Sequence, residues 1–184
     1  MALPKRIVIH ELGPREGMQI EKNPIDTSEK VRLVDMLSEC RFHEIEVTSF
    51  VSPKWVPQMA DAEQVVAGIQ RAEGTRYTAI YLNTQGLQRA VMTGKLDVEG
   101  SLSITASEAF SKKNTNRSIA ETLAETEKRI EGFQRFGIRP HEVSVMAAFG
   151  CNYEGDIAPD HVVGLVAQLM DLAEQNQYDI SMIQ

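Results

Sequence analysis

The chain has 184 residues, with 19 Lys or Arg against 26 Asp or Glu and a formal net charge of −7 at pH 7. That acidic balance, without clustered basic residues, excludes a nucleic-acid binder, and no run of about 18 apolar residues provides a membrane span. A hydrophobic share of 42% in a chain of this length predicts an ordinary soluble protein with a sizeable core, organised as a single domain over residues 1–184.

Residues 1–5 lead straight into an apolar run, leaving no room for a signal or transit peptide. The first predicted strand covers residues 6–12, where the two-residue period puts Ile7, Ile9 and Glu11 on one face. Residues 13–19 follow as a loop whose path is set by Gly13, Pro14 and Gly17. Val31, Leu33, Val34 and Leu37 recur at helical spacing over residues 28–39, with Asp26 or Thr27 as cap. A strand at 44–49 comes next, then helices at 62–72 and 86–92 around a strand at 77–82, and a strand at 98–105. Residues 118–136 form the clearest helix, opened by the Ser118–Glu121 capping box and stopped by Gly137. A strand at 143–149, a helix at 159–175 opening on Pro159 and a strand at 178–183 complete the pattern.

Short strands alternating with longer helices predict βα units and a parallel sheet. Both a barrel and a doubly wound sheet fit that alternation. The barrel is favoured because no Gly-rich phosphate loop follows the first strand. Functional-looking residues also follow several different strands, as barrel sites require.

Arg15 offers a fixed fork of donors for an oxyanion or carboxylate, and Glu16 offers the oxygen ligands that a hard divalent cation prefers. Glu11 and Glu46 fall on apolar strand segments, where an unpaired carboxylate is expensive, so each is expected to have a partner. An ion pair of Arg15 with Glu46 or Glu11 is compatible with a functional role for the guanidinium. Lys22, Lys54, Lys112, Lys113 and Arg117 are read in loops after predicted strands, where they can gather positive charge for an anionic ligand. Cys40 and Cys151 are too few for a disulfide framework, which suits a reduced, cytoplasmic compartment. Trp55, between Pro53 and Pro57, is expected to pack on a neighbouring loop or a partner subunit.

The block Leu12-Gly13-Pro14-Arg15-Glu16-Gly17-Met18-Gln19 resembles the first-strand motif of the metal-dependent carbon–carbon lyases and Claisen-type synthases built on a TIM barrel. A more specific block is Thr48-Ser49-Phe50-Val51-Ser52-Pro53-Lys54-Trp55-Val56-Pro57-Gln58-Met59, which resembles the hydroxymethylglutaryl-CoA lyases within that superfamily. Ala106-Ser107-Glu108-Ala109-Phe110-Ser111-Lys112-Lys113-Asn114 and Gly150-Cys151-Asn152-Tyr153-Glu154-Gly155 match in the same order, so the resemblance covers essentially the whole chain.

The resemblance implies an α/β fold, a (β/α)8 TIM barrel of which this chain holds about the first six strands. It implies cleavage of a 3-hydroxy-3-methylacyl-CoA to acetyl-CoA and a keto acid, in the context of leucine degradation. A divalent cation, Mg²⁺ or Mn²⁺, and a homodimer of the complete protein belong to the same picture. Arg15 matches the arginine that stabilises the enolate, with Glu11 and Glu46 as acidic residues of the catalytic group. Glu16 stands where the family has an aspartate metal ligand. Gln19, Lys22, Ser49, Ser107 and Asn114 match positions near the acyl-CoA substrate.

The chain departs from the family in lacking a His-x-His pair, its histidines being His10, His43, His141 and His161. It also lacks the Gly-rich loop of the family's mobile catalytic cysteine, for which Cys151 is no substitute. These departures predict a fragment of a longer enzyme, or a degenerate product, with no lyase activity of its own. Glu16 and Asn152 keep open a lyase for another branched hydroxyacyl-CoA, such as citramalyl-CoA or an isohexenyl analogue. A non-catalytic remnant acting as a structural or partner-binding protein is the alternative from another class.

Overall fold

In the computed structural model, which describes residues 3–184, the chain divides into two units, one running to Val98 and the other from Glu99 to Gln184. Each builds a three-stranded parallel sheet backed by helices, as the alternation predicts. The six sheet strands match the expected number, and among the described residues neither sheet closes on itself.

The first sheet has the order β1 (His10–Glu11), β2 (Glu44–Ser49) and β3 (Arg76–Ile80). Ile45, Val47 and Tyr77 are buried in a core with Val34 of α2 (Thr27–Glu39) and Ala62, Val65 and Val66 of α3 (Ala62–Gly68). The register sets His10 beside Glu44, Glu44 beside Arg76 and Glu46 beside Thr78, so these residues share the opposite, polar face. The β2–β3 ladder then jumps to Thr48 opposite Ala79, leaving Val47 in a bulge with no partner of its own.

Two long-range contacts lock this unit. The fully buried Tyr77 donates its hydroxyl to Ser38 Oγ at 2.7 Å and accepts from the Ala72 amide at 2.8 Å. The buried Lys30 ammonium binds Asp61 at 2.7 Å and the Gln58 carbonyl at 2.5 Å. These bonds tie α2 to the short 3-10 turn Pro57–Met59 and to the start of α3.

The first strand is much shorter than the expected 6–12. Glu44 is the first residue of β2 and already lies beside His10, so residues 7–9 run past the start of their neighbour. Without a ladder to join, Ile7, Val8 and Ile9 stay irregular and exposed despite their β-branched side chains. Residues 13–19, expected as a loop, form helix α1 (Gly13–Gln19). Pro14 supplies a preset φ in its first turn, and Pro14 and Met18 are buried. The helix at 62–72 stops at Gly68, whose missing Cβ leaves room for the Val31 side chain of α2. Helix α4 (Thr84–Met92) starts two residues before the expected position, with Asn83 Oδ1 accepting from the Gly86 amide. Asp26 occupies the cap position of α2 without a side-chain cap bond.

The second sheet has the order β4 (Ser101–Thr105), β5 (Glu142–Met146) and β8 (Met182–Ile183). Leu102, Ile104, Val143 and Val145 are buried and alternate with Ser101, Ser103, Glu142 and Ser144. Helices α6 (Ile119–Phe136) and α7 (Pro159–Gln175) pack on this sheet and contribute Ile130, Phe133, Leu165 and Leu169 to the buried set. The capping box at Ser118 and the left-handed Gly137 appear as predicted. Two elements were not anticipated: helix α5 (Glu108–Thr115) and the hairpin of β6 (Gly150–Cys151) with β7 (Gly155–Asp156). Lys112, Lys113 and Asn114 therefore lie on a helix, not in a loop. Ser107 starts that helix by accepting from the Phe110 amide, which the sequence disguises because the cap follows directly on β4.

Candidate functional site

The strongest concentration of expected site residues lies where β1 gives way to α1, against the middle of β2. Only Leu12 separates strand from helix, so Arg15 and Glu16 ride on the first turn of α1. Arg15 Nε donates to Glu46 Oε1 at 2.5 Å, and Nη1 donates to Glu16 Oε2. The Arg15 and Glu46 side chains are nearly buried, at 13% and 14% exposure, while Glu16 is 59% exposed. The guanidinium is thus held by one inner and one outer carboxylate, a geometry that fixes its plane. Burial pushes the Glu46 carboxyl above its ordinary range, against the pull of Arg15, and the charge of Glu44 pushes it the same way.

Glu11 does not join this group as a partner of Arg15. Its carboxylate turns onto the next residues and accepts from the Gly13 amide at 2.6 Å, placing an acid at the N-terminal end of α1. A Cβ on Gly13 would sit 2.7 Å from that oxygen, which explains a glycine here. Gln19 is the last residue of α1 and half-buried, and Lys22, three residues on, is exposed. Ser49, at the end of β2, is buried, and its hydroxyl has no hydrogen-bond partner among the described residues. An orphaned hydroxyl three residues beyond Glu46 is a polar group in need of a ligand. Trp55 is 76% exposed with the Lys54 ammonium 5.8 Å from its ring, and among the described residues it is not packed under a neighbouring loop.

Ser107 and Asn114 belong to the second unit. Ser107 is fully buried and joins Cys151 of the hairpin at 3.0 Å, besides capping α5. That hydroxyl and the amides of Tyr153 and Glu154 lower the Cys151 thiol below its ordinary range. Asn114 is exposed on α5. The sequence concealed the Ser107–Cys151 contact, which bridges 44 positions through a hairpin that has no periodic signature.

A divalent cation needs several convergent oxygen or nitrogen ligands. Among the described residues no three His, Cys, Asp or Glu side chains are grouped to hold one. Glu16, exposed and shared with Arg15, offers a single ligand, so these residues by themselves do not make a complete metal site.

The family profile described as HMGL-like matches residues 6–182. The mitochondrial hydroxymethylglutaryl-CoA lyase of Pongo abelii is 42% identical over 180 residues, covering 98% of this chain and 54% of that protein. The 3-hydroxy-3-isohexenylglutaryl-CoA/hydroxymethylglutaryl-CoA lyase of Pseudomonas aeruginosa is 40% identical, covering 94% of this chain and 56% of its own length. The crystal structure of the Bacillus subtilis HMG-CoA lyase superposes with a TM-score of 0.84 at 34% identity, over 100% of this chain and 58% of that one. The chain therefore spans about half the length of the curated relatives it matches.

Proposed function

The chain belongs to the HMGL-like family, and from that premise we propose that it carries the first part of the catalytic domain of a carbon–carbon lyase. The substrate is a 3-hydroxy-3-methylacyl-CoA, split to acetyl-CoA and a keto acid, acetoacetate when the substrate is hydroxymethylglutaryl-CoA. The observation that carries this reading is the largely shielded Arg15–Glu46 pair at 2.5 Å, with the unsatisfied Ser49 hydroxyl further along the same strand.

Cleavage places negative charge on the thioester oxygen as the acetyl-CoA enolate leaves. A donor fixed in advance stabilises such charge without reorganising. Arg15 is suited to that task because Glu46 and Glu16 hold two of its nitrogens, which leaves the remaining N–H donors fixed in direction. Ser49 serves as a substrate hydrogen-bonding group, and Gln19, Lys22, Ser107 and Asn114 as contacts to the acyl-CoA. Glu16 is the residue that would help hold a Mg²⁺ or Mn²⁺ ion, which would supply Lewis-acid polarisation. The reading extends to a cytoplasmic homodimer active in leucine breakdown, in keeping with two cysteines that form no bridge. It also extends to residues 1–184 acting as part of a single domain. A glutamate where the family has aspartate favours, as a second reading, a substrate with a different branch.

Calorimetric titration with hydroxymethylglutaryl-CoA tests the assignment. The wild-type chain binds the thioester and Arg15→Gln does not; equal binding by both removes Arg15 from the site. Because the described residues group no complete metal site, the isolated chain releases no acetyl-CoA with Mg²⁺ or Mn²⁺. Turnover at an ordinary enzymatic rate refutes that part.

A further inference from the structure

The segment that follows Ser49 is gripped by a cation that the proposed chemistry does not use. Lys30 of α2 has a side chain only 7% exposed. It donates to the Gln58 carbonyl at 2.5 Å and to Asp61 Oδ1 at 2.7 Å, while the Thr27 hydroxyl donates to Asp61 Oδ2 at 2.7 Å. An ammonium buried without partners is costly, and these two oxygens compensate it.

The peptide unit between Gln58 and Met59 is planar, so its oxygen and its N–H move together. Lys30 holds the oxygen, and the Val56 carbonyl accepts from the Met59 N–H at 3.1 Å. From this one unit, two side chains leave for the two segments proposed to meet the acyl-CoA. Gln58 Nε2 donates to the carbonyl of Glu21, which lies between Gln19 and Lys22 in the chain. Met59 is 2% exposed, and its sulfur accepts at 3.5 Å from the hydroxyl of Thr48, the neighbour of Ser49.

We propose that Lys30 is a positioning residue for the acyl-CoA site, acting through the Gln58–Met59 peptide, a role that rests on the lyase reading. By fixing that plane, Lys30 holds the Gln19–Lys22 segment and the end of β2 in one arrangement. An ion pair that only ties α2 to α3 would engage Asp61 and leave the Gln58 side chain indifferent.

NMR of the isotope-labelled 184-residue chain separates the two with no ligand present. In the wild type the Gln58 side-chain amide is slowed in exchange by the Glu21 carbonyl. In Lys30→Met, which keeps a long stem and removes the donors, that exchange accelerates about tenfold, a factor in keeping with the loss of one hydrogen bond from a charged donor. Asp61→Asn leaves oxygens for both Lys30 and Thr27, and keeps Gln58 exchange within about twofold of wild type. Unchanged Gln58 exchange in Lys30→Met, in a chain of native amide pattern, overturns the proposal, and so does equal acceleration in both variants. Where Lys30→Met does not fold, Gln58→Ala reads the same coupling from its other end, because the coupling is reciprocal. Cutting the Glu21 tether then speeds exchange of the Lys30 ammonium protons, and an unchanged ammonium signal overturns the proposal. Calorimetry adds the link to function: Lys30→Met binds hydroxymethylglutaryl-CoA about tenfold more weakly than wild type, and equal binding by the two overturns the positioning role. A wild-type chain that binds no thioester removes the lyase reading instead, and the exchange data alone then decide whether Lys30 governs Gln58.

Discussion

Replacing Arg15 with glutamine tests how firmly the guanidinium and Glu46 depend on one another. Removing one member of a fully buried ion pair costs about 3–5 kcal/mol, because the survivor is left charged and desolvated. Both side chains keep some solvent contact, at 13% and 14% exposure, and glutamine retains a donor, so the expected loss is about 2–3 kcal/mol at alkaline pH.

The loss must also depend on pH, with a definite sign. Glu46 already titrates above its ordinary value in the fold, so its ionisation weakens stability as pH rises through the folded value. Without Arg15 that value climbs further, since the cause lowering it is gone. The variant therefore lies closest to wild type in acid, where Glu46 can keep its proton, and falls behind as pH rises, by up to ~1.4 kcal/mol per pH unit. Urea unfolding at about pH 5 and about pH 8 reads this difference, with a midpoint separation of about 1 M at the higher pH for an ordinary urea slope. Far-UV circular dichroism is the suitable probe, because Trp55 is 76% exposed and insensitive to the core. A midpoint separation that is the same at both pH values, or larger in acid, would refute the coupling.

Two further outcomes are expected. Tyr77→Phe removes a buried hydroxyl that serves both Ser38 and Ala72, leaving the Ala72 amide without its acceptor, and should cost about 1–3 kcal/mol in equilibrium unfolding; a neutral variant means that water reaches the gap. The Glu121 carboxyl, held by the Ser118 amide and hydroxyl and by Lys112, is lowered to about 2, so its capping contribution is intact above the ordinary carboxylate range and fades as pH falls toward about 2. NMR titration should find that low value in the wild type and a rise in Ser118→Ala; an ordinary carboxylate titration in the wild type contradicts the capping box.

The parts of the fold that could be read in the sequence were those fixed by local chemistry. The limits 44–49 and 159–175 came out as observed because a short stretch rich in β-branched residues and an N-terminal proline need no distant partner to define them. The ends of β1, β4 and β8 were overestimated for the opposite reason: a strand extends only as far as its neighbour, and residue spacing says nothing of a neighbour's start. Helix α1 was hidden by its own glycines and proline, which favour a turn when counted singly but suit the first helical turn together. At the site, pairing of Arg15 with Glu46 was legible from the cost of a lone buried carboxylate. The diversion of Glu11 to Gly13 was not, since it depends on which way a side chain leaves a short strand.

The unpaired Val47 has a consequence for how this strand tolerates change in length. A straight ribbon would carry Glu46 and the residues after it in a single phase, whereas here the kink resets the phase midway and brings Val47, Thr48, Ser49 and Phe50 into the interior in succession. Deleting one residue at this kink would mend the ladder and yet rotate Ser49 and Phe50 relative to Glu46. The irregularity is thus what brings a carboxylate and a hydroxyl from one strand onto the same face.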